Sequence, residues 1–194
     1  MLRLIVALGN PGPKYAYTRH NIAWLMLERV SFFPQLSWQN KFKGEYASHS
    51  LNGETIYFLK PQTYMNLSGE SVQPLAHFLR IEPDQILVIH DDIELPFGVI
   101  GFKTNGGLAG HNGLRSISNK LGTRDFKRLR LGVSRPATGT VEAYVLSNFS
   151  AEEQMVLPIY LNKAAQLLEK SLTEDFGVME QLYRKQMLLD ANGL

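Results

Sequence analysis

Two short, unbroken apolar runs constrain this chain more than any other feature. Leu4–Leu8 is followed by Gly9-Asn10-Pro11-Gly12, and Gln85–Ile89 leads into His90-Asp91-Asp92. Neither run alternates apolar with polar residues, so neither leaves a face for water. Strands of that kind lie inside a sheet covered on both sides. Between and after them the apolar spacing turns helical. Ile22, Leu25, Met26 and Val30 predict a helix over Asn21–Val30, and Leu114–Leu121 a short one. Ser68–Leu79 reads as a helix with Ser68 as N-cap, in which Pro74 sits near the start or forces a kink. Glu45–Leu51 and Thr55–Leu59 flank Asn52-Gly53 and read as a hairpin, with further strands at Val99–Lys103 and Leu129–Val133. Ala151–Leu172 is an amphipathic helix whose start carries a capping box, Ser150 and Glu153. A final helix is predicted over Val178–Asp190. Strands alternating with helices argue for an α/β fold with a mostly parallel or mixed sheet. Asn10-Pro-Gly, His90-Asp91-Asp92 and Gly106-Gly107 all fall at or just past strand ends. Ligands sit outside the carboxyl ends of such sheets, so the three clusters point to one site built from several loops.

The chain has 194 residues, the size of one domain, and no linker or repeat divides residues 1–194. With 44% hydrophobic and 20% charged residues it is not a mainly disordered chain. The absence of cysteine excludes disulfides, thiolate metal sites and a cysteine nucleophile, and fits a reducing compartment. The N-terminal apolar run is too short for a signal peptide, and no stretch approaches the ~18 apolar residues of a membrane span. The expected location is the cytoplasm. Net charge is only +2, but its distribution is uneven. Lys103 to Arg135 holds eight basic residues and a single acid, Asp125, whereas Ala151–Leu194 holds seven acids and four bases. Such a basic region attracts a polyanion, unless it is merely a solvated face.

Taken one at a time, the polar motifs are ambiguous. The Gly9–Gly12 loop follows a strand, but it lacks G-x-G-x-x-G and contains Pro11, which argues against a dinucleotide site. His20 lies between a polar loop and a helix start, within reach of solvent and substrate, although a lone histidine there is more often a surface or packing residue. Asp91 and Asp92 could bind a hard cation such as Mg²⁺, orient a distant histidine, or only cap a loop. Neighbouring strand residues point to opposite sides, so only one of them faces a given cleft. Gly106–Gly113 is a glycine-rich loop entering a helix, and Asn112 in it can present an amide to a carbonyl or a ribose. Asn66 is a second such amide or an N-cap. Tyr64 and Met65 beside it are core residues or a soft apolar ledge.

In combination the motifs are specific. Gly9-Asn10-Pro-Gly, Thr-Arg-His20-Asn, Thr-Tyr-Met-Asn66-Leu-Ser-Gly, His-Asp91-Asp and Gly-His-Asn112-Gly, in this order and spacing, closely resemble bacterial peptidyl-tRNA hydrolases. The resemblance runs from about Leu4 to the Val145–Phe149 segment. It implies a single α/β domain, a twisted mixed sheet wrapped by helices, acting as a monomer without metal or organic cofactor. It implies an esterase that cleaves a peptide from the 3′-terminal ribose of tRNA and so recycles prematurely released peptidyl-tRNA. By motif, His20 is the base and Asp91 its orienting acid. Asn10, Asn66 and Asn112 hold substrate and water, and Tyr15, Tyr64 and Met65 border the peptide cleft. Lys103 and Arg130 match the basic pair associated with the tRNA 5′-phosphate. The glycine-rich loop and the Gly139–Phe149 segment correspond to gates. Three positions depart from the family pattern: Ala109 and Ala7 stand where Gly is frequent, and Glu94 where Asp is usual. Ala109 is expected to stiffen its loop or to hold φ < 0.

The chemistry agrees with this assignment. Ester hydrolysis by water needs a base that titrates near neutrality, and imidazole does, at ~6.5 unperturbed. A carboxylate on its far nitrogen fixes the tautomer. No G-x-S-x-G elbow is present, which favours water as nucleophile. Two other readings stay open: a metal-assisted hydrolase using Asp91 and Asp92, and an RNA-binding or ribosome-associated module without catalysis.

Overall fold

β1 (Leu4–Ala7) is buried at every residue and pairs in parallel on both sides, the setting that its unalternating run requires. The other strands are β2 (Gln39–Lys41), β3 (Gly44–Leu51), β4 (Glu54–Pro61), β5 (Ile86–Asp92), β6 (Val99–Thr104), β7 (Lys127–Gly132) and β8 (Gln186–Met187). In the computed structural model, which describes residues 1–189, they form one mixed sheet in the order β2-β3-β4-β1-β5-β7-β6-β8. β4, β1, β5 and β7 are parallel, and antiparallel strands flank them on both sides. The chain goes from β1 to β4 on one side and then to β5 on the other. The strand order therefore reverses between β1 and β5, and a crevice opens outside their carboxyl ends.

Among the described residues six α-helices, α1 (Ile22–Leu27), α2 (Gly69–Leu79), α3 (Asn112–Leu121), α4 (Val141–Val145), α5 (Ala151–Ser171) and α6 (Phe176–Leu182), accompany the sheet. β5 shows how the layers divide. Leu87 and Ile89 face a core with Met26 of α1, Leu168 of α5 and Met179 of α6, whereas Ile86 and Val88 face Val72 and Leu75 of α2 and Ile117 of α3. Strand alternation continues this division to the end of β5: Asp91 belongs to the α1–α5 side, His90 and Asp92 to the α2–α3 side. Tyr160 of α5 is fully buried and donates its hydroxyl to the carbonyls of Val99 and Gly132, at 2.9 and 3.3 Å, tying α5 to the end of the sheet.

Most expected elements are present, and the differences have local causes. The hairpin turn has both Asn52 and Gly53 at positive φ (52° and 83°), as a two-residue primed turn requires. The capping box of Ser150 and Glu153 starts α5. The first helix is shorter than Asn21–Val30, because Arg19–Asn21 forms a 3₁₀ turn ahead of α1. Ser68 is not a side-chain cap: its backbone is already helical, and its Oγ donates to the Met65 carbonyl. The start of α2 is instead fixed from outside, where Ser116 Oγ of α3 accepts the Gly69 N–H at 2.9 Å. Pro74 is the sixth residue of α2, and the helix runs on to Leu79. The final helix starts at Phe176 and ends at Leu182; Gln186–Met187 then pairs with β6, and Asp190 lies outside the described residues.

The glycine-rich cluster also needs correcting. β6 is antiparallel to β7, so Thr104 lies level with Lys127, at the edge opposite to Asp91. The loop must cross the sheet to bring His111 to the strand ends. Arg128 holds it on the way, donating to the carbonyls of Gly107 (2.9 Å) and Asn105. Arg128 was counted within the basic run, yet it is 2% exposed and is committed to this loop. Ala109 adopts φ +49°, not the expected negative value.

Candidate active site

The crevice at the switch point is a cleft of about 520 Å³. Its floor is built from β1 and β5. Asn10 follows β1 and is 5% exposed; its peptide unit is clamped by Asn21, which is fully buried. Asn21 Oδ1 accepts the Asn10 N–H at 2.9 Å, and Asn21 Nδ2 donates to the Asn10 carbonyl at 3.0 Å. Asn10 Oδ1 accepts the Met65 N–H at 2.8 Å. The orientation of the Asn10 amide is thereby set, and its Nδ2 donors have no partner among the described residues. Asn21 carried no assignment from sequence, since an Asn before a helix reads as a cap.

His20 sits in the 3₁₀ turn, and its Nδ1 lies 2.7 Å from Asp91 Oδ1. Only a histidine with hydrogen on Nδ1 can donate to that carboxylate, and in the neutral ring this leaves the lone pair on Nε2. The same carboxylate oxygen meets His111 Nε2 at 2.9 Å. His111 is the N-cap of α3: its Nδ1 accepts the N–H groups of Gly113 and Leu114, at 3.2 and 3.4 Å. Capping the helix thus leaves the hydrogen on Nε2, where it points at Asp91. Burial alone pushes the Asp91 carboxyl up, but the charges and hydrogen bonds of His20 and His111 outweigh it and hold the group well below the ordinary carboxylate range. In sequence, His111 is only the histidine of a Gly-His-Asn-Gly motif, with no role of its own. The residue that it contacts is 20 positions away, and no local pattern shows that.

Asp92 lines the cleft as well, against the expectation that only one of the two acids would, but its carboxylate accepts from Arg130 Nε at 2.7 Å. Burial raises its carboxyl, while His90 and Arg130 lower it to a net depressed state. Arg130 and Lys103 line a smaller pocket of about 270 Å³ together with Arg184, Lys185 and Glu180. Partial burial first, then the charges of Arg128, Arg130 and Arg184, depress the Lys103 ammonium. The expected basic pair is thus brought together, and the segment after α6 adds two cations that were not foreseen.

Asn66 and Asn112 both line the cleft, with side chains that make no hydrogen bond among the described residues. Tyr15 and Tyr64 meet edge to face at 6.4 Å. Met65 is core and cleft wall at once: it is 4% exposed, and a Cβ on Gly113 would come within 2.5 Å of its Sδ. A further wall is α4, with Val141 and Val145, and Leu108 and Ala109 of the glycine-rich loop line the cleft too. Arg19 anchors that wall through Ser147 Oγ (2.7 Å), the Asn148 carbonyl and Glu153 (2.6 Å).

His20, Asp91 and His111 offer ligand atoms within 4.8 Å of one another, so a metal must be considered. Their donor set does not suit one. Both nitrogens face a single carboxylate oxygen at hydrogen-bond distance, and helix capping leaves the proton on the His111 nitrogen. What the arrangement can do is deprotonate water at His20 Nε2 beside an amide donor able to receive a developing oxyanion. That chemistry, on this sheet, defines an α/β enzyme of hydrolytic class.

The comparisons with known proteins agree. The sequence model of the peptidyl-tRNA hydrolase family matches residues 4–189. The peptidyl-tRNA hydrolase of Geotalea uraniireducens is 46% identical over 189 residues, covering 97% of this chain and 99% of that one. The corresponding protein of Geobacter sulfurreducens is 44% identical over 188 residues, covering 96% and 97%. The crystal structure of peptidyl-tRNA hydrolase from Acinetobacter baumannii superposes with a TM-score of 0.86 at 34% identity, over 94% of each chain. This chain belongs to the peptidyl-tRNA hydrolase family of enzymes.

Proposed function

We propose that the protein hydrolyses the ester between a peptide, or any N-blocked aminoacyl group, and the 3′-terminal ribose of tRNA, and so recycles prematurely released peptidyl-tRNA. The observation that carries this reading is the His20–Asp91 contact of 2.7 Å, which leaves His20 Nε2 free beside Asn10. His20 Nε2 takes a proton from a water as its oxygen attacks the ester carbonyl. Asn10 Nδ2 receives the charge that develops on the carbonyl oxygen, a contribution of about 3–4 kcal/mol for one well-placed donor. The imidazolium is steadied by Asp91 and returns the proton to the departing ribose 3′-oxygen, leaving a free carboxylate and an intact tRNA end. His111 holds Asp91 in place throughout.

Asn66 and Asn112 bind the peptide backbone or the water, and Tyr15, Tyr64 and Met65 offer a side-chain-tolerant ledge. Lys103 and Arg130 take the 5′-phosphate end of the acceptor stem, attracting phosphates without reading sequence. The chain acts as one catalytic domain over residues 1–194, as a monomer in the cytoplasm, without a metal or organic cofactor. Among the described residues no helix is long and apolar enough to cross a membrane.

The test is hydrolysis of N-acetyl-aminoacyl-tRNA, with free-amine aminoacyl-tRNA as control, in the presence of EDTA and with His20→Ala. The expected result is cleavage of the blocked ester alone, unaffected by EDTA and reduced by about 10²–10⁴ in the variant, which still binds tRNA. Activity lost with EDTA would establish the metal-assisted reading. An intact blocked ester with bound tRNA would leave an RNA-binding module.

A further inference from the structure

His90 is the one histidine at the cleft with no place in the mechanism above. It is 2% exposed, lines the cleft, and stacks edge-on against His111 with ring centres 5.1 Å apart. Its Nδ1 lies 2.7 Å from the Asp91 carbonyl oxygen, so Nδ1 carries the hydrogen and Nε2 carries a lone pair. Burial, and then the charge of His111, lowers its pKa to about 3, so the ring is neutral at physiological pH. Nε2 is buried and has no hydrogen-bond partner among the described residues.

None of the surrounding described groups donates to it. Both nitrogens of His111 are engaged, Nε2 by Asp91 and Nδ1 by the start of α3. The Arg128 guanidinium directs Nη1 and Nη2 to the carbonyls of Gly107 and Asn105, and Asp92 is itself an acceptor. A buried acceptor without a donor is costly and rare, and where one persists it marks a place for a water or a ligand group. Here it stands one residue from the acid that orients His20.

We propose that His90 Nε2 is an acceptor subsite of the cleft for one hydroxyl donor, either the 2′-hydroxyl of the terminal ribose or a fixed water. This rests on the hydrolase reading for its substrate, but not for its geometry. Asp91 and His90 then divide the work of one strand end. Asp91 orients the base on one sheet face, while His90 receives an O–H on the other.

The first measurement is a high-resolution crystal structure of the free protein and of its complex with a short oligonucleotide ending in CCA. The expected result is an oxygen about 2.7–3.0 Å from Nε2. A ribose oxygen there in the complex identifies the nucleotide as the source, and a water in both structures identifies solvent. A bare Nε2 in both overturns the proposal. The second measurement compares His90→Asn, whose amide keeps a donor toward the Asp91 carbonyl but lacks the outer acceptor, with His90→Gln, which restores an acceptor further out. With N-acetyl-aminoacyl-tRNA, Asn is expected to lower kcat/KM at least about tenfold and Gln to recover most of it. A substrate ending in 2′-deoxyadenosine should cost wild type as much as the Asn substitution and cost the Asn variant nothing further, if the ribose is the donor. The two losses multiply if water is. A folded His90→Asn protein with wild-type kcat/KM overturns the proposal. If wild type cleaves no ester yet an oxygen sits on Nε2, the hydrolase reading fails and the subsite stands.

Discussion

Asn21 holds Asn10 by both ends of its peptide unit, accepting its N–H at 2.9 Å and donating to its carbonyl at 3.0 Å. Neither contact reaches the chemistry, yet together they help to aim the amide that is proposed to receive the charge on the carbonyl oxygen. Asn21→Ala removes two buried hydrogen bonds. The expected loss is about 2–3 kcal/mol of stability and about 10- to 100-fold in kcat with little change in KM. Thermal melts beside steady-state kinetics check it; a change confined to stability would show that Asn10 stays in place unaided.

His111 has two duties that separate by substitution. His111→Asn keeps an acceptor for the first turn of α3 but withdraws the donor from Asp91, so activity falls while the melting temperature holds. His111→Ala loses both, with about 1 kcal/mol of stability gone as well. Equal activity in the two variants and wild type would remove His111 from the mechanism.

Ala109 lies in the left-handed region at φ +49°, where an L side chain costs about 1–2 kcal/mol. Ala109→Gly relieves that strain and frees the unfolded chain in partial offset. The expected net gain is up to about 1 kcal/mol, read from the urea midpoint. A lower midpoint would mean that the Ala109 side chain contributes packing that outweighs the strain.

Acid stability carries the signature of His90. Its folded pKa of about 3 lies below the unfolded value near 6.5, so between those limits the unfolded chain binds one more proton. Stability is complete above about pH 6.5 and declines on acidification, by about 1.4 kcal/mol per unit for this group. Asp91 is also depressed, so it adds a further loss as pH falls below the ordinary carboxylate range. Urea titrations from pH 7 to 4 should show this slope, and His90→Asn should flatten it. An unchanged slope in the variant would mean that His90 is not the buried neutral group responsible.

Lys103 tests the proposed phosphate pocket with little collateral damage, since Arg130 is tied to buried Asp92 and Lys103 is not. Lys103→Ala should raise KM, leave kcat alone, and make the salt dependence of kcat/KM shallower by about one unit of log–log slope. A parallel salt plot would place the phosphate elsewhere.

The main strands and helices were legible because their signals are local. Unalternating runs at β1 and β5, the Asn52-Gly53 turn and the Ser150–Glu153 capping box each declare themselves within a few residues. His20, Asp91 and the three asparagines were legible as a set by resemblance, and the cleft brings all five together. Other features depend on which segments meet. β8 exists only because the chain after α6 finds the edge of β6. Arg128 reads as a surface cation until the crossing loop covers it. His111 gains its role because β6 is antiparallel, which forces that loop across the sheet to Asp91. The sequence by itself determined which residues are apolar enough for each layer and which polar groups are available at the strand ends. The tertiary structure alone decided which atoms share a hydrogen bond. Those pairs join residues as far apart as 20 and 91, and they form only once the strand order has placed β1 beside β5.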